Sequence, residues 1–299
     1  MSQLTTALVL LLGPLIWGFG FVATKSTLAG SGPLWANAVR FCLASAVLLP
    51  LAVRGLRRVT WAQVGLGALL GVFLMLAFSF QTAGMVTTNV AHSSFITGLY
   101  AVFVPLFGLF FGKRPRALQL VAAALAVGGL VLLTGLATAE AKVSAGDWLI
   151  LGCAVVSAVH ILIVDRVAKD TDPLVLNWLQ LATVSVLSVG AALALEGPAQ
   201  VRWTRAIVAG QLYLAIFSSG VAFTLQFWAQ RRISPSAAAM VFLLEAPFGA
   251  LAGRLFYGEQ LGWLQWCGGL LMLGASYLAV ATGEGDGPAV EMALRETGL

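Results

Sequence analysis

The chain has 299 residues, of which 60% are hydrophobic and only 10% charged, with a mean hydropathy of +0.94 and a formal charge of +5. Soluble domains carry about 25% charged residues, so water is excluded as the main solvent. The 17 Lys and Arg are spread over short connections, which argues against a nucleic-acid surface.

A bilayer core asks for about 20 apolar residues per helical crossing, and runs of that length recur along the whole chain. A β-barrel would show short alternating segments, whereas residues 118–136 are apolar almost throughout. In chain order the predicted spans are 5–24, 33–53, 62–82, 90–111, 117–137, 147–165, 174–195, 207–229, 235–256 and 262–281. The first apolar stretch lacks a basic leader and a small-residue cleavage site, so it is expected to remain as a span. Gly283, Glu284, Gly285, Asp286, Gly287 and Pro288 open a final segment, 283–299, expected to be a flexible cytoplasmic tail. Cys42, Cys153 and Cys267 each lie inside an apolar run without paired spacing and read as small core residues.

Basic residues set the expected orientation. With the N-terminus inside, eleven Lys and Arg fall on cytoplasmic connections, among them Arg54, Arg57, Arg58, Lys113, Arg114 and Arg116. Four fall outside, Lys25, Lys142, Arg202 and Arg205, while Arg40 and Arg254 lie within spans. Both termini are therefore expected in the cytoplasm.

The second half repeats the first. A shift of 140 lays Pro33, Leu34, Asn37 and Ser45 on Pro173, Leu174, Asn177 and Ser185, and a shift of 146 lays Gly112 and Gly128 on Gly258 and Gly274. Five spans per half is an odd number, so the halves are expected to lie in the membrane with opposite orientation. The predicted fold is all-α, ten transmembrane helices forming two inverted five-helix repeats, 1–137 and 147–282. Such repeats, packed around a central site, are the architecture of many secondary transporters.

Short motifs then fall on particular spans. Trp17, Gly18, Phe21, Val22 and Lys25 lie on the first, Arg40 and Phe41 on the second, and Phe95, Thr97, Gly98, Leu99, Tyr100 and Pro105 on the fourth. The ninth carries Ala237, Ala238, Ala239, Leu243, Leu244, Glu245 and Pro247, followed by Gly258 and Glu259. In this order the motifs resemble the drug/metabolite transporter superfamily, specifically its ten-span EamA-type exporters. The resemblance covers nearly all of the first 282 residues. Ala246 separates Glu245 from Pro247, which that family often has adjacent, and Lys113 stands where an acid is common. The resemblance implies a multi-pass protein of a bacterial-type inner membrane that exports small metabolites, with amino acids, aromatic ones included, as the best-represented substrates.

Charges within a bilayer are costly and face protein or a watery cavity. Arg40, Glu245 and Arg254 are of this kind. Glu245 reads either as a substrate-amine or proton site or as half of an ion pair with Arg40 or Arg254, and Arg40 reads as structural. His92 and His160 have no second His at helical spacing and no carboxylate set, so neither is a metal site, and no cofactor is implied. Trp17, Tyr100, Trp178 and Trp228 offer aromatic surface, whereas Trp61, Trp148 and Trp263 start spans as interface anchors. Asn89, Ser93, Ser94 and Thr97 make a polar stripe at the start of the fourth span. The substrate-binding candidates are thus Trp17, Asn89, His92, Ser94, Tyr100, Trp178, Trp228 and Glu245. The partners expected are a small-molecule substrate and the lipid bilayer, with monomer and dimer both open. A membrane enzyme is disfavoured by the lack of HExxH and GxSxG, and a four-span multidrug/proton antiporter by the lack of a Glu in the first span.

Overall fold

The computed structural model describes residues 3–112, 117–134 and 143–282, and these are all-α, with no strand. The basic turn at Lys113, Arg114 and Arg116, Lys142, and the tail at 283–299 lie outside the described residues. The helices are α1 (Gln3–Thr27), α2 (Pro33–Leu56), α3 (Trp61–Gly84), α4 (Val90–Gly98), α5 (Tyr100–Gly108), α6 (Ala117–Thr134), α7 (Ala145–Val167), α8 (Pro173–Leu195), α9 (Arg205–Tyr213), α10 (Phe223–Gln230), α11 (Pro235–Phe242), α12 (Glu245–Tyr257) and α13 (Trp263–Thr282). A π-helical stretch, Leu214–Ala222, joins α9 to α10.

Seven segments are long and apolar enough to cross a membrane among the described residues: α2, α3, Val90–Gly108, α7, α8, Arg205–Gln230 and Pro235–Tyr257. Large apolar side chains such as Leu51, Val186, Leu195 and Leu270 point outward, as a lipid solvent allows. This is a multi-pass helical membrane protein. Trp61, Trp148 and Trp263 are exposed at the starts of their helices, where an indole can sit at an interface.

Local chemistry explains where helices begin and end. Pro33 and Pro173 stand in the first turn of α2 and α8, where a missing N–H costs nothing. Thr60 with Gln63 and Ser144 with Asp147 form capping boxes at α3 and α7. Gly112 and Gly258 end their segments at φ of 75° and 66°, a left-handed conformation that favours glycine.

The helices pack mainly across the middle of the sequence, α2 on α8, α6 on α13, α3 on α7 and α8, and α1 on α12. Small residues permit the closest approaches. A Cβ on Gly67 or Gly71 would come within 2.4 Å of Leu179 or 2.5 Å of Thr183, and one on Gly249 within 2.5 Å of Ser94.

Three predicted spans are not single regular helices. The fourth breaks at Leu99, between α4 and α5, the ninth breaks at Leu243 and Leu244, between α11 and α12, and the eighth contains the π-helical stretch. Pro247 explains the second break: it has no N–H for the carbonyl of Leu243, which instead accepts from Ala246 N at 3.0 Å, a tighter turn. The two breaks meet, since a Cβ on Gly98 would lie 2.7 Å from Leu243 Cδ1. Arg254, expected within its span, is exposed in the last turn of α12.

Candidate functional site

A cavity lies where α1, α2, α3 and α7 face the broken helices and the π-helical stretch. One wall is aromatic. The Trp17 ring lies 5.1 Å from Phe223 and meets Phe242 edge-on at 5.3 Å, and Phe78 continues the wall 6.0 Å from Phe223. Trp17 is fixed by donating Nε1–H to the carbonyl of Ser218 at 3.1 Å.

The polar groups come from both halves of the chain. Arg40 is buried and donates Nε to Ser219 Oγ at 2.8 Å and Nη2 to Ser218 Oγ at 2.9 Å. Its guanidinium lies 4.2 Å from the centre of the Phe78 ring. Nη1 makes no hydrogen bond to the described residues and is left to the cavity. Tyr100 and Glu245 each open the helix that follows a break, so a discontinuous backbone delivers both into the same space. Tyr100 Oη and Glu245 Oε1 are buried with no hydrogen bond of ordinary geometry, although the phenol stands beside the carboxyl group. Such groups are expensive to leave unpaired and are what a ligand would satisfy. Neither Arg40, held by the serines, nor Arg254, exposed, forms an ion pair with Glu245 among the described residues. A cation, a carboxyl group and an aromatic wall thus share one chamber.

Comparisons with known proteins agree with a multi-pass helical membrane protein. The sequence model of the EamA-like transporter family matches residues 4–135 and again 144–281. The chain belongs to that family. An uncharacterized transporter of Archaeoglobus fulgidus is 28% identical over 277 residues, covering 91% of this chain and 84% of the relative. The inner membrane transporter YedA of Escherichia coli, also uncharacterized, is 27% identical over 89% of this chain and 86% of its own. A chloroplastic WAT1-related protein of Arabidopsis thaliana is 27% identical over 88% of this chain and 66% of its own. A solved crystal structure superposes with a TM-score of 0.72 at 22% identity, covering 94% of this chain and 98% of that one, a likeness of fold.

Within this EamA-like transporter the eight sequence candidates separate. Trp17, Tyr100 and Glu245 line the cavity together. Asn89 caps α4, accepting from His92 N at 2.7 Å, and His92 is partly exposed in that first turn. Ser94 donates to the carbonyls of Ala91 and Ala246 and binds α4 to α12. Trp178 donates to Ser45 O at 3.1 Å and packs beside Phe41 between α2 and α8. Trp228 lies under the guanidinium of Arg232, 4.0 Å away, near the end of α10. Among the lining residues missed are Phe78, Gln81, Ser218, Phe223, Gln226 and Phe242. Gln81, Ser218 and Gln226 had a signal, since each is a hydrogen-bonding side chain within an apolar run. The phenylalanines had none. Among the described residues no cluster of His, Cys, Asp and Glu suits a metal ion.

Proposed function

We propose that this transporter exports small zwitterionic metabolites, amino acids above all and aromatic ones among them, by alternating access through the central cavity. The observation that carries this reading is the joint presence of Arg40 Nη1 and the adjoining, incompletely satisfied Glu245 and Tyr100 oxygens beside the Trp17, Phe223 and Phe242 rings. A carboxylate substituent suits the guanidinium, an ammonium suits the carboxyl group, and a planar side chain suits the rings.

The architecture proposed for this work is ten spans in two inverted five-helix repeats, 1–137 and 147–282, in a bacterial-type inner membrane with both termini cytoplasmic. Matched details support the repeat. Asn37 donates to the carbonyl of Phe78 and its counterpart Asn177 to those of Ser219 and Gly220, in each case on the third span of its own half. Gly112 and Gly258 share the left-handed turn, and the fourth span of each half is broken. Helices α2 and α8 pair with each other, as do α6 and α13, which is the reciprocity a two-fold relation requires.

The test is uptake of labelled amino acids by purified protein in liposomes, with and without a pH gradient. Saturable movement of L-phenylalanine that Trp17→Ala and Glu245→Gln each reduce at least about tenfold is the expected result. Indifference of the protein to every amino acid in a broad panel overturns the reading.

A further inference from the structure

Behind the cavity wall runs a chain of side chains whose donors and acceptors can be assigned one after another. It starts in the π-helical stretch, where three successive carbonyls accept from side chains: Ser218 O from Trp17, Ser219 O from Asn177, and Gly220 O from both Asn177 and Thr224. A carbonyl oxygen only accepts, so the Asn177 atom 3.1 Å and 3.0 Å from two of them is its amide nitrogen. Asn177 Oδ1 therefore points the other way, toward Gln180, and takes a hydrogen bond from Gln180 Nε2 at 2.9 Å. That choice turns Gln180 Oε1 toward His160 Nε2, 3.0 Å away. An amide oxygen has no proton to give, so the ring must donate, and its proton lies on Nε2. Asn177, Gln180 and His160 are all buried, and Asn177 and Gln180 have no exposed surface at all, so water does not compete for these bonds.

His160 itself lines the cavity. Its other nitrogen, Nδ1, has no hydrogen-bond partner among the described residues, and it is not among the buried polar atoms left orphaned, so its open side is the cavity. We propose that His160 is a fixed hydrogen-bond acceptor of the substrate site. Gln180 and Asn177 position it, and Nδ1 receives an N–H of the ligand. The inference deepens the zwitterion reading and rests on it: an ammonium carries three N–H donors, and Glu245, Tyr100 and His160 give it acceptors from α12, α5 and α7. A quaternary ammonium, with no N–H, gains nothing from Nδ1.

The protein contains two histidines, which makes a direct measurement possible. Protein labelled with 15N at the imidazole nitrogens, with His160 assigned by comparison with His92→Gln, reports the ring tautomer by NMR at pH 7. The expected spectrum has the proton on Nε2 and an unprotonated Nδ1 whose signal shifts when L-phenylalanine is added and stays put with the betaine of phenylalanine. A ring protonated on Nδ1, or on both nitrogens, overturns the inference whatever the protein transports. An Nδ1 signal unmoved by a transported amino acid overturns the acceptor role while leaving amino-acid export standing. Absence of any amino-acid uptake instead counts against the transport reading, and the tautomer then decides whether the fixed acceptor exists. In flux assays Gln180→Leu raises KM for L-phenylalanine about tenfold with kcat little changed, the mark of lost uniform binding, and His160→Asn, which keeps an acceptor, is milder than His160→Leu.

Discussion

The two ends of the helix bundle are built from similar helices but are held together by different chemistry. At the end where α1 finishes and α2, α4 and α7 begin, charged side chains cross between the halves. Glu196 accepts from Leu34 N and Trp35 N at 2.8 and 3.1 Å, and Glu259 accepts from Val90 N and Ala91 N at 3.0 and 3.1 Å. Each carboxylate from the second half thereby caps a helix of the first, where exposed N–H groups and the helix dipole both favour an anion. Lys25 donates to the carbonyls of Met85 and Thr88, and Thr88 donates to Asp147 Oδ1 at 2.9 Å. At the opposite end the α2–α3 turn meets the second half through Gln63 Nε2 and Thr171 Oγ1, a neutral bond of 3.1 Å beside an open groove. Charge-assisted bonds are about twice as strong as neutral ones, so the first end costs more to part. Under the alternating access proposed, the two ends require unequal work, and the capped end is the outer one in the orientation proposed.

Single substitutions should separate the ends. The largest effect is expected from Glu259→Ala, which removes the acceptor for two amides of α4 at about 2 kcal/mol. It should lower Tm and raise the rate at which Cys153, in a Cys42→Ser, Cys267→Ser background, reacts with a membrane-impermeant thiol reagent from outside by about tenfold. Cys153 is a suitable reporter because it is buried on the cavity wall. Glu196→Ala follows at about 1 kcal/mol, since its caps are more open to solvent, with a smaller gain in labelling. Lys25→Met should cost a similar amount or less, and part of its effect should be lost in high salt, because Lys25 feels the charge of Glu259 as well as its two carbonyl partners. Smallest is Thr171→Val, about 0.5 kcal/mol, which removes the bond to Gln63 but keeps the α3 capping box, expected to speed labelling of Cys153 from the other face and leave the outer rate alone. Equal responses to Glu259→Ala and Thr171→Val on both faces would remove the distinction between the ends.

Hydropathy made the helical membrane class legible because lipid leaves a chain few alternatives, and Pro33, Pro173, Gly112 and Gly258 marked helix ends by local sterics alone. The site was legible only in part. Trp17, Tyr100 and Glu245 stood out as aromatic or charged groups on apolar spans, and they share the cavity. Asn89 and Ser94 looked equally suitable, yet a cap and a helix contact absorb their polar atoms, which depends on what stands opposite in space. Phe78, Phe223 and Phe242 resemble any packing phenylalanine until the crossing of helices places them. Arg40 carried a visible cost as a buried charge, but its release from Glu245 depends on Ser218 and Ser219, 178 and 179 positions away. The π-helical stretch that presents those serines has no signature that hydropathy reads.

The most direct measurement is counterflow of labelled L-phenylalanine in liposomes holding the wild-type protein, Trp17→Ala or Glu245→Gln. Saturable exchange by the wild type, inhibited by other amino acids and reduced at least about tenfold in both variants, is what amino-acid transport through this cavity predicts. Wild-type exchange that neither substitution alters would place the path elsewhere, and no exchange of any amino acid would contradict the assigned substrate class.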